Sequence, residues 1–318
     1  MSPRATNLAL YVAVPALVLS GLFAWAFADP LGSALVALHR ALAATLLVVL
    51  AWKYGVARRS VRRRAVSGRR ATLVVGGVSS AALLLALGLG LGWTLGLASF
   101  DRPFAYSLLN IHVFVGVALV PLVVAHAAQR RRHASARAPI GRRDVVRGLG
   151  VIAAGVVVAA LSDRVDDSRR ATGSRDVAGE RFPVTSWTFD GIQVIEPASW
   201  RLELVDGARR SVSLAELAAL PVKDRRATLD CTSGWAATRT WTGVPLRALV
   251  PAGRGARVSS VTGHGATFAA DEVDALLLAT RVDDVTLSAE HGGPLRLVAP
   301  MHRGFAWIKW VGRIEVLS

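Results

Sequence analysis

Over its first half the chain shows long apolar runs rather than a short period. Five stretches, residues 8–28, 31–52, 72–98, 107–128 and a shorter 145–161, approach the about 20 apolar residues a helix needs to cross a bilayer core of about 30 Å. They predict five spanning helices. After residue 161 the pattern breaks. Residues 162–180 are polar and read as a tether. Beyond them come short stretches with strand character at 200–205, 226–230 and 257–262. Ser213 followed by Glu216 is a capping-box start for a short helix, and residues 245–250 predict a second. The expected architecture is therefore multi-domain. An N-terminal all-α transmembrane helical bundle occupies residues 1–161, a tether 162–180, and a C-terminal α+β domain 181–318. No internal repeat is apparent.

Composition sharpens this picture. Of 318 residues, 53% are hydrophobic and 19% charged, and the mean hydropathy is +0.42. A single water-soluble globule is excluded. The net charge of +16 suggests a nucleic-acid partner until it is located. Residues 1–144 carry 17 basic and 3 acidic side chains, residues 145–318 carry 21 and 19. The basicity belongs to the membrane half, and no nucleic-acid partner is expected.

Two links hold most of it. Residues 53–71 contain eight basic residues and no acid, and residues 129–144 contain six with Asp144. Short loops rich in Lys and Arg stay in the cytoplasm. The links at Asp29-Pro30 and Asp101-Arg102 then lie outside, which gives a multi-pass plasma-membrane protein, N-terminus inside, with its C-terminal domain extracytoplasmic. The first span lacks the short core and cleavage site of a signal peptide and is expected to be retained.

With one cysteine, Cys231, no intrachain disulfide forms. A lone cysteine is a buried small residue or a thiolate with a task. Its surroundings carry the sharper reading. Cys231-Thr232-Ser233-Gly234-Trp235 is followed by Trp241-Thr242-Gly243-Val244-Pro245-Leu246. A second block runs Glu290-His291-Gly292-Gly293-Pro294-Leu295-Arg296-Leu297-Val298, then Gly304-Phe305 and Lys309-Trp310-Val311. Together they resemble the molybdopterin-binding domain of the sulfite oxidase family.

The resemblance implies that Cys231 ligates molybdenum in an oxidoreductase performing two-electron oxygen-atom transfer on a small-molecule substrate. Thiolate is a soft, strongly donating ligand suited to that role. By the same resemblance His291, Arg296 and Lys309, the backbone at Trp307 and Ile308, and the hydroxyl of Thr262 contact the molybdopterin. His302 and Arg303 are candidates for the pocket rim. Relatives often place an additional lysine where this chain has Gly304-Phe305-Ala306, a departure that Arg303 is placed to compensate. The chain ends eight residues after Trp310, so no room remains for the dimerisation domain of eukaryotic sulfite oxidases.

Ionisable residues inside spans are functional candidates. His39 and His112 lie about 12 Å and about 8 Å below the outer ends of their helices at 1.5 Å per residue. Two imidazoles at one level suit a six-coordinate haem b, with Arg40 beside a propionate. His126, 14 residues beyond His112, is the alternative partner for His39, and Lys53 stands where a fourth histidine would be. Histidines bonded between helices are the plain structural alternative. The arrangement resembles cytochrome b type membrane domains, which implies a quinone or cytochrome electron partner. Arg142-Arg143 before the last span resembles a twin-arginine signal and would engage that translocase, or it is cytoplasmic retention charge. Two rival readings are a haem-free membrane anchor and a non-catalytic binding module on the same fold.

Overall fold

The computed structural model describes residues 1–27, 30–66, 70–97, 107–131, 141–162, 169–177, 183–184 and 191–318. The outer links at Asp29 and at 101–102, residues 132–140 of the second basic loop, and 163–168 and 178–180 of the expected tether lie outside the described residues. Contacts divide the protein into a helical unit, residues 1–25 and 30–173, and a sheet unit holding 174–318.

The helical unit is built from α1 (Pro3–Ala26), α2 (Leu31–Val66), α3 (Arg70–Thr94), α4 (Leu108–Arg131) and α5 (Arg142–Ser162). All five are long and apolar enough to cross a membrane. Only 11–22% of the residues in their most apolar windows are buried, so most of that apolar surface faces outward. α2 does not stop at the end of its apolar run. It continues to Val66 through the basic segment, because Arg and Lys are good helix formers and nothing there breaks the helix.

Within the unit, Ala13, Val14 and Leu17 of α1 meet Leu46 of α2, with Leu83 and Leu87 of α3 and Val123 of α4 packed around them. α3 lies along α4, and α2 along α5. The second pair is close. A methyl group on Gly155 of α5 would strike the Thr45 hydroxyl and come within 2.8 Å of the Thr45 nitrogen and 2.9 Å of the Ala41 carbonyl oxygen. Small residues let helix backbones approach in this way where no hydrophobic effect drives them together. The Arg40 guanidinium donates to the Ala159 carbonyl at 3.0 Å and to the Ser162 hydroxyl, at the C-terminal end of α5.

The sheet unit holds β1 (Arg175–Asp176), β2 (Arg201–Asp206), β3 (Ala208–Ser213), α6 (Leu214–Ala218), β4 (Lys223–Asp230), β5 (Trp235–Pro245), β6 (Gly255–Ser260), β7 (Gly265–Phe268), β8 (Leu277–Val282), β9 (Val285–Thr286), β10 (Arg296–Val298) and β11 (Val311–Leu317). They form two sheets. One runs β1-β5-β8-β10, with β4 paired to β5 and β9 to β8; the other runs β3-β2-β11-β6-β7. The domain expected to be α+β is thus sheet-rich, with α6 and four short 3-10 turns as the helical content among the described residues.

Local chemistry explains the pieces. Leu202 and Leu204 are buried while Arg201 and Asp206 are exposed, the alternation of a strand with one covered face. α6 opens on the expected capping box. The Ser213 nitrogen donates to Glu216 Oε2 at 2.7 Å and the Glu216 nitrogen to Ser213 Oγ at 3.2 Å. Residues 245–250, expected to be helical, yield only a 3-10 turn over Leu246–Ala248, with Pro251 just beyond disfavouring a helical Val250. In the stretch expected to be a tether, Arg175 and Asp176 pair in parallel with Trp235 and Ala236 of β5. Gly243 is required where β5 shifts register against β8, because a Cβ there would run into the Leu278 carbonyl and sit 2.6 Å from Ala279 Cα.

The α2–α5 contact yields a test. Gly155→Ala is expected to lower the melting temperature of the detergent-solubilised protein, overpacking costing about 1–3 kcal/mol. Gly148→Ala, on the same helix with no neighbour within 4 Å, is expected to leave it unchanged or raise it. Thermal unfolding by circular dichroism measures both.

Candidate functional site

Cys231 follows the last residue of β4 and is 7% exposed. Its loop is tightly tied. The Cys231 nitrogen donates to the Trp235 carbonyl at 2.8 Å, and the Gly234 nitrogen to the Cys231 carbonyl at 3.0 Å. Gly234 adopts φ +92, a turn conformation that favours glycine. The Ser233 N–H points at Cys231 Sγ over 3.5 Å. From the other side comes Gly304, which has no room for a side chain: a Cβ would lie 3.0 Å from Cys231 Cα.

Arg296, at the start of β10, is 3% exposed and sits close enough to Cys231 for their charges to interact. Burial pulls the guanidinium from its ordinary value down to about 10, and the Cys231 sulfur opposes that shift. It remains a cation at neutral pH. One amino group donates to the His291 carbonyl at 2.8 Å, the guanidinium carbon lies 5.5 Å from the centre of the Trp241 ring, and among the described residues Nε has no hydrogen-bond partner. Trp241 is itself anchored, its indole donating to the Ala227 carbonyl at 3.3 Å and its ring meeting Trp307 edge-on at 5.4 Å.

The second block folds around this centre. His291 Nδ1 lies 2.9 Å from the Ser288 hydroxyl. Lys309 Nζ donates to the Glu290 carbonyl at 2.7 Å and lies 5.4 Å from the centre of the Trp310 ring. Gly292, at φ +100, brings the His291 turn against Lys309, 3.0 Å separating its ideal Cβ from Lys309 Cα. Thr262 is drawn to the same side, since the neighbouring Val261 nitrogen donates to the Trp310 carbonyl at 2.9 Å. Its hydroxyl donates to Ser260 Oγ at 3.1 Å. At Trp307 and Ile308, whose backbone the resemblance sets beside the cofactor, the N–H groups donate to the carbonyls of Gly304 at 3.2 Å and Ala306 at 3.1 Å.

One residue of the site escaped sequence reading. Asp230 is 8% exposed, accepts the Ser174 hydroxyl at 2.5 Å and lies 3.6 Å from the buried Arg303 guanidinium. Its position beside Cys231 was the only sequence signal. His302 pairs with Glu272 at 2.9 Å and packs edge-on against Phe268, and His264 donates to the Phe305 carbonyl at 2.9 Å.

The histidines of the helical unit have their own setting. His39 and His112 meet with ring centroids 5.9 Å apart and planes at 89°. His39 Nδ1 lies 2.9 Å from the Leu17 carbonyl and His112 Nδ1 lies 2.8 Å from the Ala86 carbonyl. A carbonyl only accepts, so Nδ1 carries the hydrogen and Nε2 is the basic nitrogen of each ring. Each ring is seated on a glycine of the adjoining helix. The Cε1 atoms of His39, His112 and His126 lie 3.0–3.1 Å from ideal Cβ positions on Gly21, Gly90 and Gly76. Lys53 donates to Asn7 at 2.7 Å. Among the described residues no group of three or more His, Cys, Asp or Glu side chains converges as a metal cage.

The Arg296 burial can be tested alone. Because its folded-state value is depressed, protonated Arg296 opposes folding below about pH 10 and that penalty fades only above it. Arg296→Met is therefore expected to leave the melting temperature of cofactor-free protein at pH 7 unchanged or raised. Calorimetry checks this; a clear fall shows that the guanidinium stabilises the fold.

Comparison with known proteins yields a match to one domain family. Residues 190–318 match the family model for the oxidoreductase molybdopterin binding domain. The protein-methionine-sulfoxide reductase catalytic subunit MsrP of Gluconobacter oxydans (strain 621H) is 28% identical over 154 residues, covering 40% of this chain and 49% of that protein. This chain thus spans about half the length of its curated relative. The crystal structure of the sulfane dehydrogenase SoxCD from Paracoccus pantotrophus is matched at 23% identity over 40% of each chain, with a TM-score of 0.37. Residues 190–318 thus match an oxidoreductase molybdopterin binding domain, on a chain that also holds five helices apolar enough to cross a membrane.

Proposed function

We propose that this protein is a membrane-anchored molybdopterin-dependent oxidoreductase whose redox centre is held at Cys231 in an extracytoplasmic domain. One observation carries the reading: a buried cation, Arg296, lies beside the chain's single cysteine within a matching molybdopterin-binding domain. The residues suit the group. A thiol with an N–H aimed at its sulfur is prepared to ligate a soft metal, and the Nε of Arg296 is a buried donor awaiting an acceptor. His291 and Lys309 would hold the pterin phosphate with Arg296, and Thr262 would add a hydroxyl. Trp307 and Ile308, their N–H groups already engaged, would form wall rather than donors. When bound, molybdenum-molybdopterin supplies two-electron oxygen-atom transfer to or from a small-molecule substrate.

The helices would lie in the plasma membrane as a multi-pass anchor with both basic segments cytoplasmic, which leaves the sheet domain outside. A haem b between His39 and His112 would supply single-electron exchange with a quinone or cytochrome partner. The perpendicular ring pair with both Nε2 atoms basic supports this choice over His126. Arg142-Arg143, at the start of α5, would engage the twin-arginine translocase, so that the domain crosses already folded.

Protein purified from cells with a working molybdenum-cofactor pathway tests the reading. About one molybdenum per chain is expected, with Cys231→Ala altering the metal's electron paramagnetic resonance signature. A dithionite-reduced spectrum with haem b bands is expected to vanish in His39→Ala and His112→Ala and persist in His126→Ala. Folded wild type without molybdenum or pterin sinks the enzyme and leaves a binding module. Molybdenum without haem bands leaves an enzyme on a haem-free anchor.

A further inference from the structure

The segment just upstream of the matched domain points to a positioning device. Residues 174–177 precede the region that the molybdopterin-binding family model covers, which begins at residue 190. They are nonetheless built into the cysteine loop. The Arg175 nitrogen donates to the Gly234 carbonyl at 2.8 Å and the Val177 nitrogen to the Ala236 carbonyl at 2.9 Å. Gly234 is the residue whose own N–H closes onto the Cys231 carbonyl. Ser174 is fully buried, and its hydroxyl donates to Asp230 Oδ1 at 2.5 Å.

Asp230 is bonded directly to Cys231 in the chain. On its far side stands Arg303, 3.6 Å from the same oxygen and 5% exposed, and the next residue, Gly304, packs on Cys231 Cα. The cysteine loop is thus held from two directions. Residues 303–304 hold it from within the domain and residues 174–177 from upstream. A buried carboxylate must be satisfied, and the Ser174 hydroxyl contributes a short hydrogen bond to it. Two backbone bonds and one side-chain bond on a two-residue strand exceed what an unstructured connector would form.

We infer that residues 174–177 are a clamp on the Cys231 loop, with Ser174 a positioning residue that acts through Asp230 to fix the sulfur's direction. The inference rests on the proposed reading of Cys231 as a metal ligand. The upstream connector is accordingly part of the redox centre's framework.

Because Cys231 is the chain's one cysteine, alkylation reports on this loop alone. The full-length protein is prepared as wild type, Ser174→Ala, Ser174→Thr and Arg175→Pro, each with and without the molybdenum-cofactor pathway. Proline is tolerated at the first residue of an edge strand, so Arg175→Pro removes the bond to Gly234 without depending on the serine. In cofactor-free protein, iodoacetamide is expected to label Cys231 about tenfold faster in Ser174→Ala and Arg175→Pro, the order set by losing one buried hydrogen bond. Ser174→Thr, which keeps the hydroxyl, is expected to label at the wild-type rate. In loaded protein Ser174→Ala is expected to retain molybdenum while shifting its paramagnetic resonance signature.

Wild-type labelling rates in both Ser174→Ala and Arg175→Pro overturn the clamp, as does labelling of Ser174→Thr as fast as Ser174→Ala. If Ser174→Ala does not fold, Arg175→Pro decides. A wild type without molybdenum sinks the enzyme reading, while the alkylation rates of the cofactor-free chain still decide on the clamp.

Discussion

A guanidinium taken out of water next to a thiol is the arrangement around which the sheet domain is organised. Arg296 is 3% exposed, and burial disfavours its charge, so the fold must surround it with compensation. The Trp241 ring, the His291 carbonyl and the Cys231 sulfur supply it. Each requires a backbone irregularity. Trp241 stands just before the register shift that Gly243 permits, and His291 sits in the turn that Gly292 closes at φ +100. Cys231 is held in a loop whose Gly234 has a positive φ. The glycines of the two motif blocks are therefore conditions for gathering one cation and one sulfur at the same place.

The helical unit obeys a different constraint. Its apolar residues are too numerous to hide from solvent within five helices, and exposed Val12, Leu84, Val124 and Leu149 cover its outside. In water that surface would collapse or aggregate; in hydrocarbon it has no reason to. Association then depends on close backbone approach, as at Gly155, and on polar bonds such as Arg40 to the end of α5.

Much of this was legible from residues alone, for physical reasons. Apolar length announced each long helix, since the period matters less than continuity when every face is apolar. The Ser213–Glu216 capping box and the Leu202–Leu204 alternation are local signals and formed as local signals do. The continuation of α2 to Val66 was missed because hydropathy ends where helix propensity does not. β1 was missed because two polar residues carry no strand signature; their pairing is imposed by β5 from outside. At the site, the two motif blocks were readable as blocks, and the fold brings Arg296 and Gly304 of the second beside Cys231 of the first. Not readable was that the Trp307 and Ile308 N–H groups are used within their own turn, or that Asp230 is gripped from both sides. Such facts depend on which distant backbone groups meet.

The three glycine seats have a consequence for the helices themselves. Gly21, Gly90 and Gly76 belong to helices adjoining those that carry His39, His112 and His126, and a Cβ at any of the three would stand only 3.0–3.1 Å from an imidazole carbon. The ring positions are consequently set by the spacing between antiparallel neighbours, not by side-chain torsions alone. Any change in that spacing would displace the imidazoles with it, so the separation of the helix pairs is coupled mechanically to the two rings that meet 5.9 Å apart.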